Sequence, residues 1–285
     1  MNNKKFGAII AALFMLISSS TAVIAAEQNN SYAETRNQQH SIDFENASYG
    51  LNTGDIFSPA PSIEEQLSDL SNTQKSMVME KLFDETNTVL STPFSISWKY
   101  LDGFEMYKQE EDYYCVVASC KATIQYLTGS SDSQTDIAWD LGTTFMGTPF
   151  SDAKTYLNDK QTVTTYVIRD ADTPLSTMQT SFYLSIFKYN TPPLISVAFN
   201  SKNGWPYTVS GHTACISGAR SDQLYFQVAD PYIQWVKPDA SMYYTQTSGR
   251  IHTAISDRGN RCIHQAMAID LVLVQARHLA HCPLE

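Results

Sequence analysis

"QEEDYYCVVASCKATIQYLTG" runs from Gln109 to Gly129, and the way this stretch folds decides the fold of the chain. An acidic, aromatic loop, Asp112-Tyr113-Tyr114, gives way to Val117, Cys120, Ile124 and Leu127, apolar residues at helical spacing. Gly129 supplies a natural stop. The stretch therefore predicts a helix with Cys115 in its first turn and Cys120 on its apolar face. Five residues turn a helix by about 140° net, so the two thiols point apart and suit neither a disulfide nor a shared metal site. A thiol at a helix N-terminus faces unpaired backbone N–H groups and the positive end of the dipole, which favours thiolate. Cys115 is thus a candidate nucleophile for attack on an acyl carbon, and Cys120 a small buried hydrophobe.

A nucleophile needs a base and a group that orients the base. His212 follows Gly211 at the start of a β-rich segment, and Asp230-Pro231 ends the next strand candidate. In a hairpin the start of one strand lies beside the end of its partner, so Asp230 is placed to hold the imidazole tautomer. Gln109 lies just upstream of Cys115. Its side-chain amide, with the Cys115 backbone N–H, is a candidate pair of donors for a developing oxyanion. Each residue also has an ordinary reading: a chance histidine, a turn-forming Asp-Pro, a solvated glutamine.

Taken together the residues form a series: "QEEDYYCVVAS", "SQTDIAWDLGTTFMGT" (Ser133–Thr148), "SGHTACISG" (Ser210–Gly218) and "VADPY" (Val228–Tyr232). The series resembles the papain-like bacteriocin-processing (double-glycine leader) peptidases, especially their secreted stand-alone C-thirty-nine-like relatives, over Gln109 to Tyr232. The resemblance implies an α+β, papain-like fold, with the nucleophile-bearing helix packed on an antiparallel β-sheet. It implies Cys115 as nucleophile, His212 as general base, Asp230 as orienting acid and Gln109 as oxyanion donor, with no cofactor and no metal. The family's Cys-Gly-Pro-Ala-Ser is here Cys115-Val116-Val117-Ala118-Ser119. Proline in a first helical turn is favourable but dispensable, so the change puts the width of the substrate groove in question more than the fold. No Gly-x-x-x-x-Gly-Lys-Ser/Thr motif accompanies the series, which sets it apart from transporter-coupled leader peptidases. The implied activity is that of a secreted cysteine peptidase with peptide or protein substrates. The alternatives are an amidase or transglutaminase acting on cell-wall peptides, or a binding domain on a degenerate peptidase scaffold.

The rest of the 285-residue chain is read around this centre. Lys4 and Lys5, an apolar run from Phe6 to about Ile17, and small residues up to Ala25-Ala26 read as a signal peptide over 1–26. The apolar run is too short to favour a retained membrane anchor. Formal net charge is −10, concentrated in residues 27–90, and no basic patch invites nucleic acid or anionic lipid. Residues 27–92 read as an acidic linker, helical spacer or prosegment, with 27–60 as linker and Pro61–Leu90 as helix. Ser62 and Glu65 there have capping-box spacing, and Ile63, Leu67, Leu70, Met77 and Leu82 form an interrupted apolar face. Residues 93–285 read as the peptidase domain. Within it, Pro93–Leu101 is a strand candidate, and Ser133–Leu141 and Ser151–Leu157 are helices. The pattern then turns to strands at Pro193–Phe199, His212–Arg220, Gln223–Asp230 and Met267–Gln275. Cys215 shares strand parity with Thr213 and packs in the core. Cys262, His264, His278, His281 and Cys282 leave three options open: a Cys262–Cys282 disulfide, free thiols, or a metal site with poor zinc spacing.

Overall fold

The computed structural model describes residues 51–52, 55–56, 61–88, 95–258 and 262–265, which fall within one compact unit. In chain order they form β1 (Leu51–Asn52), β2 (Asp55–Ile56), α1 (Ile63–Ser68), α2 (Asn72–Asn87), β3 (Trp98–Tyr100), α3 (Cys115–Thr128), α4 (Gln134–Asp140), β4 (Thr148–Pro149) and α5 (Phe150–Lys160). There follow β5 (Tyr166–Arg169), α6 (Leu175–Phe187), β6 (Leu194–Phe199), β7 (Val209–Arg220), β8 (Tyr225–Ala229), α7 (Ile233–Val236), β9 (Tyr243–Thr247), α8 (Ser248–Arg258) and β10 (Cys262–Gln265).

The main sheet has the order β5-β10-β6-β7-β8-β9, and β1 and β3 also pair with β7. Its pairs are antiparallel except for β1 with β7. The twelve-residue β7 is the axis of the sheet, buried along almost its whole length, which is why it reads as a run of small and apolar residues rather than an alternation. Helix α3 lies on β7 and against α4 and α5. Cys115, Val116, Val117, Ala118, Cys120 and Ala122 are all fully buried, so this helix is the centre of the helical layer. Gly129 closes it in the left-handed conformation, φ 81°, as the sequence predicts. The molecule is α+β, with the cysteine-bearing helix packed on an antiparallel sheet, as expected.

Several local expectations meet their counterparts. Ser133 caps α4 by accepting from Asp136 N–H, and Ser62 and Glu65 form the capping box of α1. The hairpin of β7 and β8 turns at Arg220–Leu224, with Cys215 opposite Ala229. Other expectations need correction. Pro61–Leu90 is not one helix but two, because Ser71 and Gln74 make a second capping box that starts α2. The segment also docks on β5. Leu67, Val78 and Leu82 pack with Val167 of β5, and the Gln66 side chain pairs with both backbone groups of Ile168. Residues 27–60, read as linker, contribute the strands β1 and β2. The region after Asn158 is not all strand, since α6 and α8 lie within it. The candidate strand Met267–Gln275, the 1–26 segment, His278, His281 and Cys282 lie outside the described residues.

Candidate active site

Cys115 is the first residue of α3. Tyr114 holds the N-cap position without a side-chain bond, so the first N–H groups of the helix, that of Cys115 among them, have no intrahelical acceptor. The helix is fixed on β7 by short polar ties. Ser119 Oγ donates to the Thr213 carbonyl at 3.4 Å, and Cys215 Sγ lies 3.9 Å from both Thr123 Oγ1 and the Ser119 carbonyl. Cys215 is therefore a core residue that seats the helix, and burial pushes its thiol up to about 12. One turn before Ser119, the Cys115 thiol is among the groups that raise the His212 imidazole. Nε2 of His212 is engaged by Asp230 Oδ1 at 2.9 Å. Cys115, His212 and Asp230 are each 0% exposed.

The electrostatics follow from the partners. Asp230 Oδ1 accepts from His212 and from the Tyr232 N–H at 2.9 Å, while Oδ2 accepts from Tyr207 at 2.8 Å and Tyr244 at 2.9 Å. Burial alone would push this carboxyl up; the His212 charge and the four hydrogen bonds outweigh it and hold Asp230 below the usual carboxylate range. His212 is the mirror case. Burial drives the imidazole toward neutrality, but the Asp230 charge and bond, helped by Cys115, raise it to about 9. Both shifts favour imidazolium beside carboxylate. The rings of Phe199, Tyr207 and Tyr232 stand 5.4, 6.1 and 6.0 Å from the imidazole and keep water from the pair.

Gln109 is 1% exposed. Its backbone N–H donates to the Pro231 carbonyl at 3.1 Å, and its carbonyl accepts from Trp235 Nε1 at 2.9 Å. The loop carrying Gln109 is thus stitched to the segment that follows Asp230. Its Nε2 donates to the Glu111 carbonyl at 2.8 Å, which also accepts from the Tyr114 N–H, and this leaves one amide hydrogen uncommitted.

Sequence reasoning missed four supporting residues. Gln134, inside the "SQTDIA" motif, clamps the loop from both sides: its Oε1 accepts from Glu110 N–H and its Nε2 donates to the Lys108 carbonyl. Tyr207 and Tyr244 gave no local signal. Trp235 stacks on Tyr232 with Lys108 over its ring. Val116 and Val117 are buried in the core and so do not narrow an open groove. Among the described residues no group of three or more His, Cys, Asp or Glu side chains is placed to hold a metal, and the side chains of Cys262 and His264 lie outside them.

Residues 101–251 match the family model described as "Peptidase_C39 like family". The curated proteins gave no match. Among solved structures, a C39-like peptidase from Bacillus anthracis is 14% identical, with 60% of this chain and 98% of that one covered, TM-score 0.44. Xylellain, a cysteine protease from Xylella fastidiosa, is 11% identical over 77% and 98%, TM-score 0.47. The peptidase domain of Streptococcus ComA is 14% identical over 58% and 99%, TM-score 0.39. The family match carries the assignment. It spans α3, β7 and the Asp230 turn together: this chain belongs to the Peptidase_C39 like family and is a cysteine-type peptidase.

Proposed function

We propose that the chain is a secreted peptidase that hydrolyses peptide bonds through Cys115, His212 and Asp230. The observation that carries this reading is the buried His212–Asp230 pair, Nε2 to Oδ1 at 2.9 Å, beside a buried Cys115 at the start of α3. In the proposed cycle His212 takes the thiol proton through Nδ1, and the thiolate attacks the substrate carbonyl. The oxyanion is held by the Cys115 N–H and the remaining Gln109 amide hydrogen. The imidazolium returns its proton to the departing amine, leaving an acyl-enzyme. A water that loses its proton to His212 then releases the acid and restores the thiol. Asp230 keeps Nε2 protonated throughout and so presents Nδ1 to the sulfur. Secretion rests on the basic start and apolar run of residues 4–17 with Ala25-Ala26 beyond.

The test is alkylation of Cys115 by iodoacetamide between pH 4 and 9, read by mass spectrometry beside a His212→Ala variant. Labelling of the native protein should persist well below the ordinary thiol pKa of about 8.5 and slow sharply at pH 6 in the variant. Equal rates at pH 6 in the two proteins would remove the thiolate–imidazolium pair and with it this reading.

A further inference from the structure

The two most exposed large apolar side chains among the described residues are Trp139, at 86%, and Phe145, at 80%, and Met146 beside them is 57% exposed. All three lie in residues 139–146, where α4 ends and a tight turn leads to β4. Thr144 and Gly147 close the turn with two main-chain bonds: the Thr144 N–H donates to the Gly147 carbonyl at 3.1 Å, and the Gly147 N–H to the Thr144 carbonyl at 2.8 Å. The Met146 N–H donates to Thr144 Oγ1, and the Thr143 and Thr148 hydroxyls bond across the base at 2.7 Å. Gly147 takes a φ of 105°, which a side chain would strain. The turn is therefore held in one shape. Its two central positions, where glycine, asparagine or aspartate are usual, are Phe145 and Met146. Trp139 is tied to the same turn, since its carbonyl accepts from the Gly142 N–H at 3.0 Å. Ile137, Ala138 and Leu141 around it are buried, so the core takes the neighbours and leaves the largest ring outside. An exposed apolar cluster of this kind marks an interaction surface.

We propose that Trp139, Phe145 and Met146 form an insertion tip that docks the protein reversibly on a zwitterionic lipid bilayer. Area argues against a protein partner. Two aromatic rings and a methionine make a patch on the order of 400 Å², about half of what each side of a stable protein interface contributes, whereas a bilayer surface is held by a few inserted side chains. Charge selects the lipid. Asp136 and Asp140 flank Trp139 on α4, and Lys160, the base that meets Asp140 at 2.7 Å, also reaches Asp132 at 3.3 Å. Two carboxylates and no free base there disfavour anionic headgroups. The outermost charge of a choline or ethanolamine headgroup is an ammonium, which suits both the carboxylates and the face of the Trp139 ring. Phe145 and Met146, at the apex, enter the acyl boundary, and the Trp139 indole, apolar with one N–H, sits at headgroup level. The docking does not depend on the peptidase cycle but lies next to its candidate site. Gln134, which clamps the loop carrying Gln109, begins the same helix, about 7.5 Å along the axis from Trp139.

The probe is phosphatidylcholine vesicles titrated into the protein, with partition read from tryptophan emission and its quenching by brominated phosphatidylcholine. We expect a blue shift and quenching that are absent from Trp139→Phe, and a partition coefficient that salt does not lower. Phe145→Ser should lower that coefficient about tenfold, and adding Met146→Ser should lower it further. Both side chains are exposed, so the unfolding midpoint of the variants should not move, which separates lost binding from lost fold. Trp139 emission that vesicles leave unchanged would overturn the proposal, and so would quenching that survives the double variant. Binding that appears only with phosphatidylglycerol and vanishes in salt would overturn the choice of lipid. Without vesicle binding, a KM for apolar peptides raised by the double variant would assign the tip to substrate, and a dimer that the double variant splits would assign it to a second copy; either result refutes the bilayer.

Discussion

Asp230→Asn removes one charge while keeping the side chain's shape. The amide oxygen still accepts from His212 Nε2, and the Tyr207 and Tyr244 hydroxyls can turn to accept from the new NH2 group. What is lost is the force that opposes burial. His212 is held at about 9 against complete desolvation. Without the Asp230 charge the imidazole falls to its ordinary 6.5 or below, a change of about 3.4 kcal/mol at ~1.36 kcal/mol per pH unit. The consequence depends on pH in a way that a general loss of structure would not reproduce. At pH 6 an imidazole at 6.5 is still mostly protonated, and the two reactivities should then differ less than about twofold on this count, a gap that widens if burial takes the imidazole lower. At pH 8.5 the imidazolium fraction drops roughly 75-fold in the variant. The assay is kcat/KM on a fluorogenic peptide from pH 5 to 10, with the His212 ring protons followed by NMR. The native alkaline limb should fall near pH 9 and the variant's at or below 6.5. A variant limb that stays near 9 would refute the claim that Asp230 sets the protonation of His212.

Three further outcomes follow from the same geometry. Tyr207→Phe and Tyr244→Phe each delete one bond to the buried Asp230 carboxylate and should each cost about 1.5–3 kcal/mol in denaturant unfolding; the double variant should depart from additivity because both bond Oδ2. Gln109→Ala should lower kcat by roughly 10²–10³ with KM little changed, and an unaltered kcat would exclude it from oxyanion binding. Burial pushes the Glu85 carboxyl up to about 7, against the opposing charges of Lys81 and Arg169. Glu85 therefore takes up a proton on folding; its contribution is fully present below about pH 4.5 and is lost as pH rises through 7. Unfolding free energy should fall by up to about 3 kcal/mol across that window, and Glu85→Gln should flatten the dependence.

What could be read from the sequence was what local chemistry dictates. The α3 start and stop, the Ser62–Glu65 box, the Ser133 cap and the β7–β8 hairpin all depend on residues a few positions apart. Helix α6 escaped because Met178, Thr180, Ser181, Phe182, Leu184, Ser185 and Ile186 are all buried, which leaves no polar face to set a helical period, while its aromatic and hydroxyl content reads as strand. Helix α8 is different: Ile251, Ala254 and Ile255 do form one buried face, and that pattern was overlooked. At the site, Cys115, His212 and Asp230 could be named because each stands in a local pattern of its own. Tyr207 and Tyr244 could not, since a buried hydroxyl needs a partner but the sequence does not say which. The docking of α2 depends on pairs of long sequence separation, such as Lys81 Nζ with Ser185 Oγ, and on Asp84 accepting from Lys188 and Tyr189.

The tie that seats α3 on β7, Ser119 to Thr213, spans 94 residues of chain, and Asp230 stands another 18 beyond His212. A ribosome adding about 5–20 residues per second finishes α3 roughly 5–20 s before the strand that must meet it has been made. Throughout that interval the nascent helix carries a thiol with no imidazole to activate it. The order of synthesis thus separates the candidate nucleophile from its proposed partners in time, and the thiol meets the imidazole only once the sheet closes.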